Sequence, residues 1–179
     1  HRRTAADNCA RPDALHPLGG YPGDEDAARA TFAKLDQAKV KEDFLAAAGF
    51  VRGLQETPVK LGVVGFCWGG GISSLLATKL PDLAAAAPFY GAAAPIDDVP
   101  KIKAELLVVL AADDERINGA WPAYKVALDQ AAVKYELLQP ADTVHGFHND
   151  TTPRYNEAAA KLAWAKTLAL FRRTLHPAA

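Results

Sequence analysis

Apolar positions change spacing several times along the chain, and each change predicts an element. Residues 1–23 show little periodicity and carry Pro12, Pro17, Gly19, Gly20, Pro22 and Gly23, so they read as loop. Asp24, Glu25 and Asp26 then place negative charge where a helix begins, with Ala28, Phe32 and Leu35 as its apolar face. Val40, Phe44, Ala48, Val51 and Leu54 recur at three or four and predict a second helix, closed by Thr57-Pro58. From Val59 to Phe66 the apolar character is nearly continuous, as in a strand buried on both faces. A helix is expected from about Trp68 to Leu80, where Pro81 stops it.

Leu83 to Tyr90 reads as a strand, with its alanine run making helix a competitor. Leu106 to Ala111 and Val133 to Leu138 are further strands, separated by a helix over Ala120 to Ala132 that buries Ala123, Val126, Ala127 and Ala131. After a loop over 139–151, Thr152 suits an N-cap and Pro153 a first turn. The last helix uses Tyr155, Ala159, Leu162, Leu168, Phe171 and Leu175. Strands alternating with helices predict an α/β fold: one domain, with a mostly parallel sheet covered by helices on both faces.

Composition narrows the class of partner. The chain has 179 residues, half of them apolar, and a net charge of −1, which gives nothing to attract nucleic acid or an acidic membrane. No apolar run approaches the roughly 20 residues of a membrane span. The two cysteines, Cys9 and Cys67, do not form a disulfide framework, and a free thiol points to the reducing cytoplasm. The chain starts at His1, not methionine, so a native amino terminus, with any signal peptide, could lie upstream. Arg2-Arg3 is not followed by the apolar stretch of a secretion signal.

The chemistry concentrates at Gly65-Phe66-Cys67-Trp68-Gly69, between a strand and a helix. The pattern G-x-S-x-G marks a sharp turn that presents a nucleophile, and here cysteine stands at the serine position. Gly65 and Gly69 are expected to be small because the turn is strained. At a helix start, backbone N–H groups favour negative charge by about 0.3–1 kcal/mol, which would assist a thiolate. The Trp68 amide is a candidate oxyanion-hole donor. A glycine-rich turn around an inert buried cysteine has the same pattern, so the partners decide. The third strand leads to Asp113 and Asp114, and the fourth to His145, with His148 close behind. Nucleophile, acid, histidine is the chain order of an α/β-hydrolase triad, and in a parallel sheet all three loops leave one edge. Either aspartate could instead be a turn residue.

These residues resemble the dienelactone hydrolase family. The resemblance runs from about Pro12 to Leu175. Its carriers are Pro12-Asp13-Ala14-Leu15, Gly65-Phe66-Cys67-Trp68-Gly69-Gly70, Pro88-Phe89-Tyr90-Gly91, Asp114-Glu115-Arg116-Ile117-Asn118 and His145-Gly146-Phe147. It implies an α/β-hydrolase fold, a Cys67–Asp114–His145 triad, and hydrolysis of a small ester or lactone without metal or cofactor. It also favours Asp114 over Asp113. Tyr90, Arg116 and Arg154 are the candidate substrate contacts, the arginines because the family's arginine four residues after the histidine is Asn149 here. The family has a much longer stretch before its nucleophile than the 66 residues preceding Cys67. That stretch holds the early strands, a second oxyanion donor and a glutamate facing the cysteine. Its absence predicts an exposed sheet edge, open to pairing with another copy, and leaves an inactive oligomerising domain as the alternative function. Class I glutamine amidotransferases share the Gly-x-Cys-x-Gly turn, but the glutamate they carry two residues after the histidine is absent after both His145 and His148. A redox module would need a second cysteine at Cys-x-x-Cys spacing from Cys67.

Overall fold

The computed structural model describes residues 9–54 and 60–175. The expected helix stop at Thr57-Pro58 and the strand start at Val59 lie outside the described residues. The chain divides into two compact units, His1–Pro58 and Val59–Ala179.

In the first unit, a 3-10 turn at His16–Leu18 precedes helices α1 (Glu25–Phe32) and α2 (Gln37–Gly53). Both helices begin at an aspartate whose carboxylate accepts orphan backbone amides. Asp24 takes Ala27 N at 2.8 Å, and Asp36 takes Ala38 N at 2.9 Å and Lys39 N at 3.1 Å. Along α2 the predicted face holds at Val40 and Ala48, which are buried. Leu54 falls just past the helix and is exposed.

The second unit is a four-stranded sheet with every neighbouring pair parallel, in the order β1 (Leu61–Phe66), β2 (Leu83–Phe89), β3 (Glu105–Val109), β4 (Tyr135–Leu138). Helices α3 (Trp68–Lys79), α4 (Glu115–Asn118), α5 (Trp121–Gln130) and α6 (Glu157–Leu175) connect and follow the strands. Residue alternation assigns the faces. On β1, a side chain at Gly62 would meet Phe171 and Leu175 of α6, whereas one at Gly65 would meet Gly69 and Ser73 of α3. Three residues apart on a strand means opposite faces, so α3 and α6 cover opposite sides.

Ala85, Ala87 and Phe89 of β2 join Leu107 and Val109 of β3 and Ala159, Ala163 and Leu170 of α6 in one core. The alanine run of β2 is a strand, not a helix, because it is central. Ala85, Ala86 and Ala87 are fully buried between β1 and β3, and their small side chains admit helices to both faces.

Three expectations change. The first strand is half-buried instead of buried on both faces, because β1 is an edge strand whose described residues pair only with β2. On α5 the buried residues are Tyr124, Ala127 and Leu128, while Ala123 and Val126 are exposed. The helix presents Tyr124 to the core and turns Ala123 and Val126 outward. The last helix starts at Glu157, and its cap is Asn156, whose side-chain oxygen accepts Ala159 N at 3.1 Å. Thr152 instead sits in the preceding turn, with its amide and hydroxyl directed to Asn149 O. Tyr155 and Leu162 are exposed, and the buried face is Ala159, Ala160, Ala163, Thr167 and Leu170.

The join between β1 and α3 depends on close backbone approach. A Cβ at Gly91 would lie 2.3 Å from Gly71 N and 2.4 Å from Gly70 C. At Gly69 a Cβ would meet nothing within 4 Å, so that glycine is not sterically required as expected from the motif. Gly91→Ala is expected to destabilise the chain by about 1–3 kcal/mol through overpacking. Gly69→Ala should be neutral or stabilising by up to about 1 kcal/mol, the helix preference of alanine. Urea melts of the two variants against the parent measure both values.

Candidate active site

Each strand of the sheet delivers one residue to the same edge. Because β1 to β4 are parallel, Cys67 after β1, Tyr90 after β2, Asp114 after β3 and His145 after β4 all leave the carboxyl rim. Cys67 has φ 52° and ψ −118°, a conformation side chains seldom adopt. Neighbouring bonds hold it there: its amide donates to Phe89 O at 3.0 Å, and its carbonyl accepts Gly70 N at 3.0 Å and Gly71 N at 3.3 Å. Gly65 permits the turn, since a Cβ there would fall 2.0 Å from Gly69 O. Trp68 supplies the first amide of α3.

Asp114 begins α4, yet its carboxylate does not cap that helix. Its backbone oxygen accepts the amides of Ile117 and Asn118 at 3.1 and 2.8 Å. The carboxylate goes instead to His145, with Oδ2 2.6 Å from Nδ1. Asp114 is 8% exposed, so the bond is shielded from water on the acid's side. Asp113 is exposed and is used through its amide, which donates to Thr143 O at 2.9 Å. His148 has a different environment. Its ring lies 5.1 Å from Phe66, 5.3 Å from Phe89 and 5.9 Å from Trp164, centroid to centroid. Burial pushes its imidazole below the ordinary value, and its buried Nε2 has no hydrogen-bond partner among the described residues.

Tyr90 is 2% exposed, so it forms the floor of this region and offers substrate almost no surface. Its ring stands edge-on to His145 at 5.1 Å and to Phe147 at 5.5 Å. Burial, and then the charge of Cys67, push its hydroxyl well above the usual tyrosine range. Arg116 and Arg154 are exposed, and both lower the Cys67 thiol through their charge. The Arg154 guanidinium crosses Gly146, where a Cβ would lie 3.5 Å from Arg154 Cζ. Gly146, with φ +87°, therefore suits both the turn after His145 and the arginine beside it. Among the described residues, no group of three or more His, Cys, Asp or Glu side chains is arranged to hold a metal ion.

The helix start was expected to favour a thiolate at Cys67. The thiol is instead raised above its ordinary value: desolvation pushes it up, Arg154 opposes this, Asp114 adds to it and Arg116 opposes it. Burial thus favours the protonated thiol. Alkylation of Cys67 by iodoacetamide, followed by peptide mass spectrometry, is expected to show a midpoint above the ordinary thiol value of 9.0. Because the arginine cation favours the thiolate, Arg154→Gln should raise that midpoint further and slow alkylation at any fixed pH below it.

Residues 12–175 match the model of the dienelactone hydrolase family. A protein of Saccharolobus solfataricus named as a carboxymethylenebutenolidase is 34% identical over 115 residues, covering 64% of this chain and 44% of that protein. A Synechocystis protein of the same name is 31% identical over 169 residues, covering 87% of this chain and 68% of its own length. A crystal structure from Klebsiella pneumoniae, described as a dienelactone hydrolase, superposes with a TM-score of 0.76 at 25% identity, covering 89% of this chain and 72% of that one. The chain spans about half the length of the first curated relatives it matches. With a family match over nearly its whole length and an α/β-hydrolase sheet beneath it, the chain belongs to the dienelactone hydrolase family.

Proposed function

We propose that this chain hydrolyses a small carboxylic ester or lactone through Cys67, His145 and Asp114. The observation that carries the reading is the 2.6 Å contact between Asp114 Oδ2 and His145 Nδ1. A carboxylate on Nδ1 fixes the proton there and leaves Nε2 as the basic nitrogen. A half-buried thiol whose protonated form is favoured by desolvation has use for such a base.

In this mechanism His145 Nε2 takes the thiol proton as Cys67 Sγ bonds to the substrate carbonyl carbon. The negative charge moves to the carbonyl oxygen, where the Trp68 amide donates a hydrogen bond. The carbon–oxygen bond then breaks, and His145 returns the proton to the leaving alkoxide, giving an alcohol and a thioester on Cys67. In a lactone the alcohol stays attached to the acyl chain. A water, deprotonated by His145, attacks the thioester carbon, and the carbon–sulfur bond breaks. The imidazolium returns its proton to the sulfur, and the acid leaves as a carboxylate after losing its remaining proton to solvent. Asp114 stays ionised and stabilises the imidazolium formed between steps. Arg116 and Arg154, exposed cations whose charge reaches Cys67, suit a substrate that carries its own carboxylate. A working thiol of this kind is preserved in a reducing compartment such as the cytoplasm.

A second reading is favoured by the position of β1. This strand is at the edge of the sheet, and on its outer side no strand pairs with it among the described residues. The chain could then act as an oligomerising domain with weak or no catalysis.

Turnover of p-nitrophenyl acetate and dienelactone separates the readings. Cys67→Ala and His145→Ala are each expected to lower kcat by about 10³-fold or more, and Asp114→Asn by a smaller factor. Equal turnover by Cys67→Ala and the parent would discard the thiol mechanism. Light scattering addresses the second reading, for which a strict monomer is the contrary result.

A further inference from the structure

The loops that carry Asp114 and His145 meet at a residue that the proposed chemistry does not use. Thr143 is 1% exposed. Its hydroxyl accepts the Ala112 amide at 2.9 Å and donates to Pro140 O at 2.6 Å. Its backbone oxygen accepts the Asp113 amide at 2.9 Å, and Asp113 pairs with Val144 in a short parallel bridge. Two consecutive amides before Asp114 thus end on one residue, which stands two positions before His145. The carbonyl side of the same loop is tied as well: Ala111 O accepts Asn118 Nδ2 at 2.8 Å and Gln139 Nε2 at 3.2 Å.

From this arrangement we infer that Thr143 is a positioning residue whose hydroxyl sets the Asp114–His145 contact. Backbone pairing alone fixes the Asp113 amide. The next amide back, at Ala112, has turned out of the β3 ladder and needs an acceptor that β4 no longer offers, since β4 ends at Leu138. The threonine hydroxyl extends the sheet by one hydrogen bond beyond the last strand residue. It also closes its own loop onto Pro140, so one side chain fixes both loop starts. Valine keeps the shape of threonine and removes both bonds, and serine keeps both bonds and loses a methyl group.

The kinetic consequence rests on the hydrolase reading above, whereas the structural consequence does not. Proton NMR of His145 reads the contact directly, because an Nδ1 proton held by a carboxylate resonates far downfield. Thr143→Val is expected to move this resonance upfield or lose it to exchange. It should also lower kcat on p-nitrophenyl acetate by about 10–100-fold, the cost of an ångström-scale misplacement, with KM unchanged. Thr143→Ser should restore both. A Thr143→Val protein with the parent's resonance and the parent's kcat would overturn the inference. If the parent and Cys67→Ala turn over equally, the hydrolase reading fails and the resonance alone decides the role of Thr143. Should the valine variant not fold, amide exchange in the parent decides it. Protection at Ala112 comparable to that of β3 is expected, and rapid exchange there refutes the hydroxyl bond.

Discussion

At the end of β1 the backbone must reverse into α3 within one residue, and this reversal constrains everything built around it. Cys67 occupies a φ of 52°, at a conformational cost of roughly 1–3 kcal/mol. The turn closes because main chain approaches main chain with no side chain between. Gly65 leaves room for Gly69 O, Gly70 for Phe89 O, and Gly91 for the amide of Gly71. The bond from Cys67 N to Phe89 O then ties the strained residue to the neighbouring strand. The buried core of β2 and β3 thereby holds a conformation that a short peptide would not keep.

The same burial that stabilises the turn acts against the sulfur as a nucleophile. Desolvation disfavours the thiolate more than the cations Arg154 and Arg116 favour it. In the proposed mechanism the carboxylate-held imidazole is the base that such a thiol needs. The Asp114 carboxylate is available because α4 does without it as a cap. Amides that would otherwise seek that side chain are met by the Asp114 carbonyl and by Thr143. The acid is free for the imidazole because the surrounding backbone is satisfied elsewhere.

Around this rim the aromatic residues divide by depth. Tyr90 and Phe147 are fully buried under His145. Phe66 and Trp164 are more than a third exposed and hold His148 between them. His148 is thereby part of an apolar cluster on the α6 side, although it is only three residues from His145. Two positions three residues apart in one loop point to different surroundings, and the surroundings determine which imidazole meets a carboxylate.

Much was legible in the residues themselves. The alternation of strand and helix, the Gly65-Phe66-Cys67-Trp68-Gly69 turn and the order of cysteine, aspartate and histidine are local or ordinal features, so periodicity and spacing reveal them, whereas the preference for Asp114 over Asp113 came from the family resemblance. Tertiary structure decided the rest. It made β1 an edge strand, kept the alanines of β2 extended, turned Tyr124 inward on α5 and moved the last cap from Thr152 to Asn156. It showed that Gly65, Gly70 and Gly91 have no room for a side chain, whereas Gly69 does. Thr143 carries no motif, and only pairing between two loops far apart in the chain gives it a place. The physical reason is common to all of these. Sequence pattern encodes what a residue prefers, whereas burial, close approach and hydrogen-bond satisfaction depend on which distant residue arrives beside it.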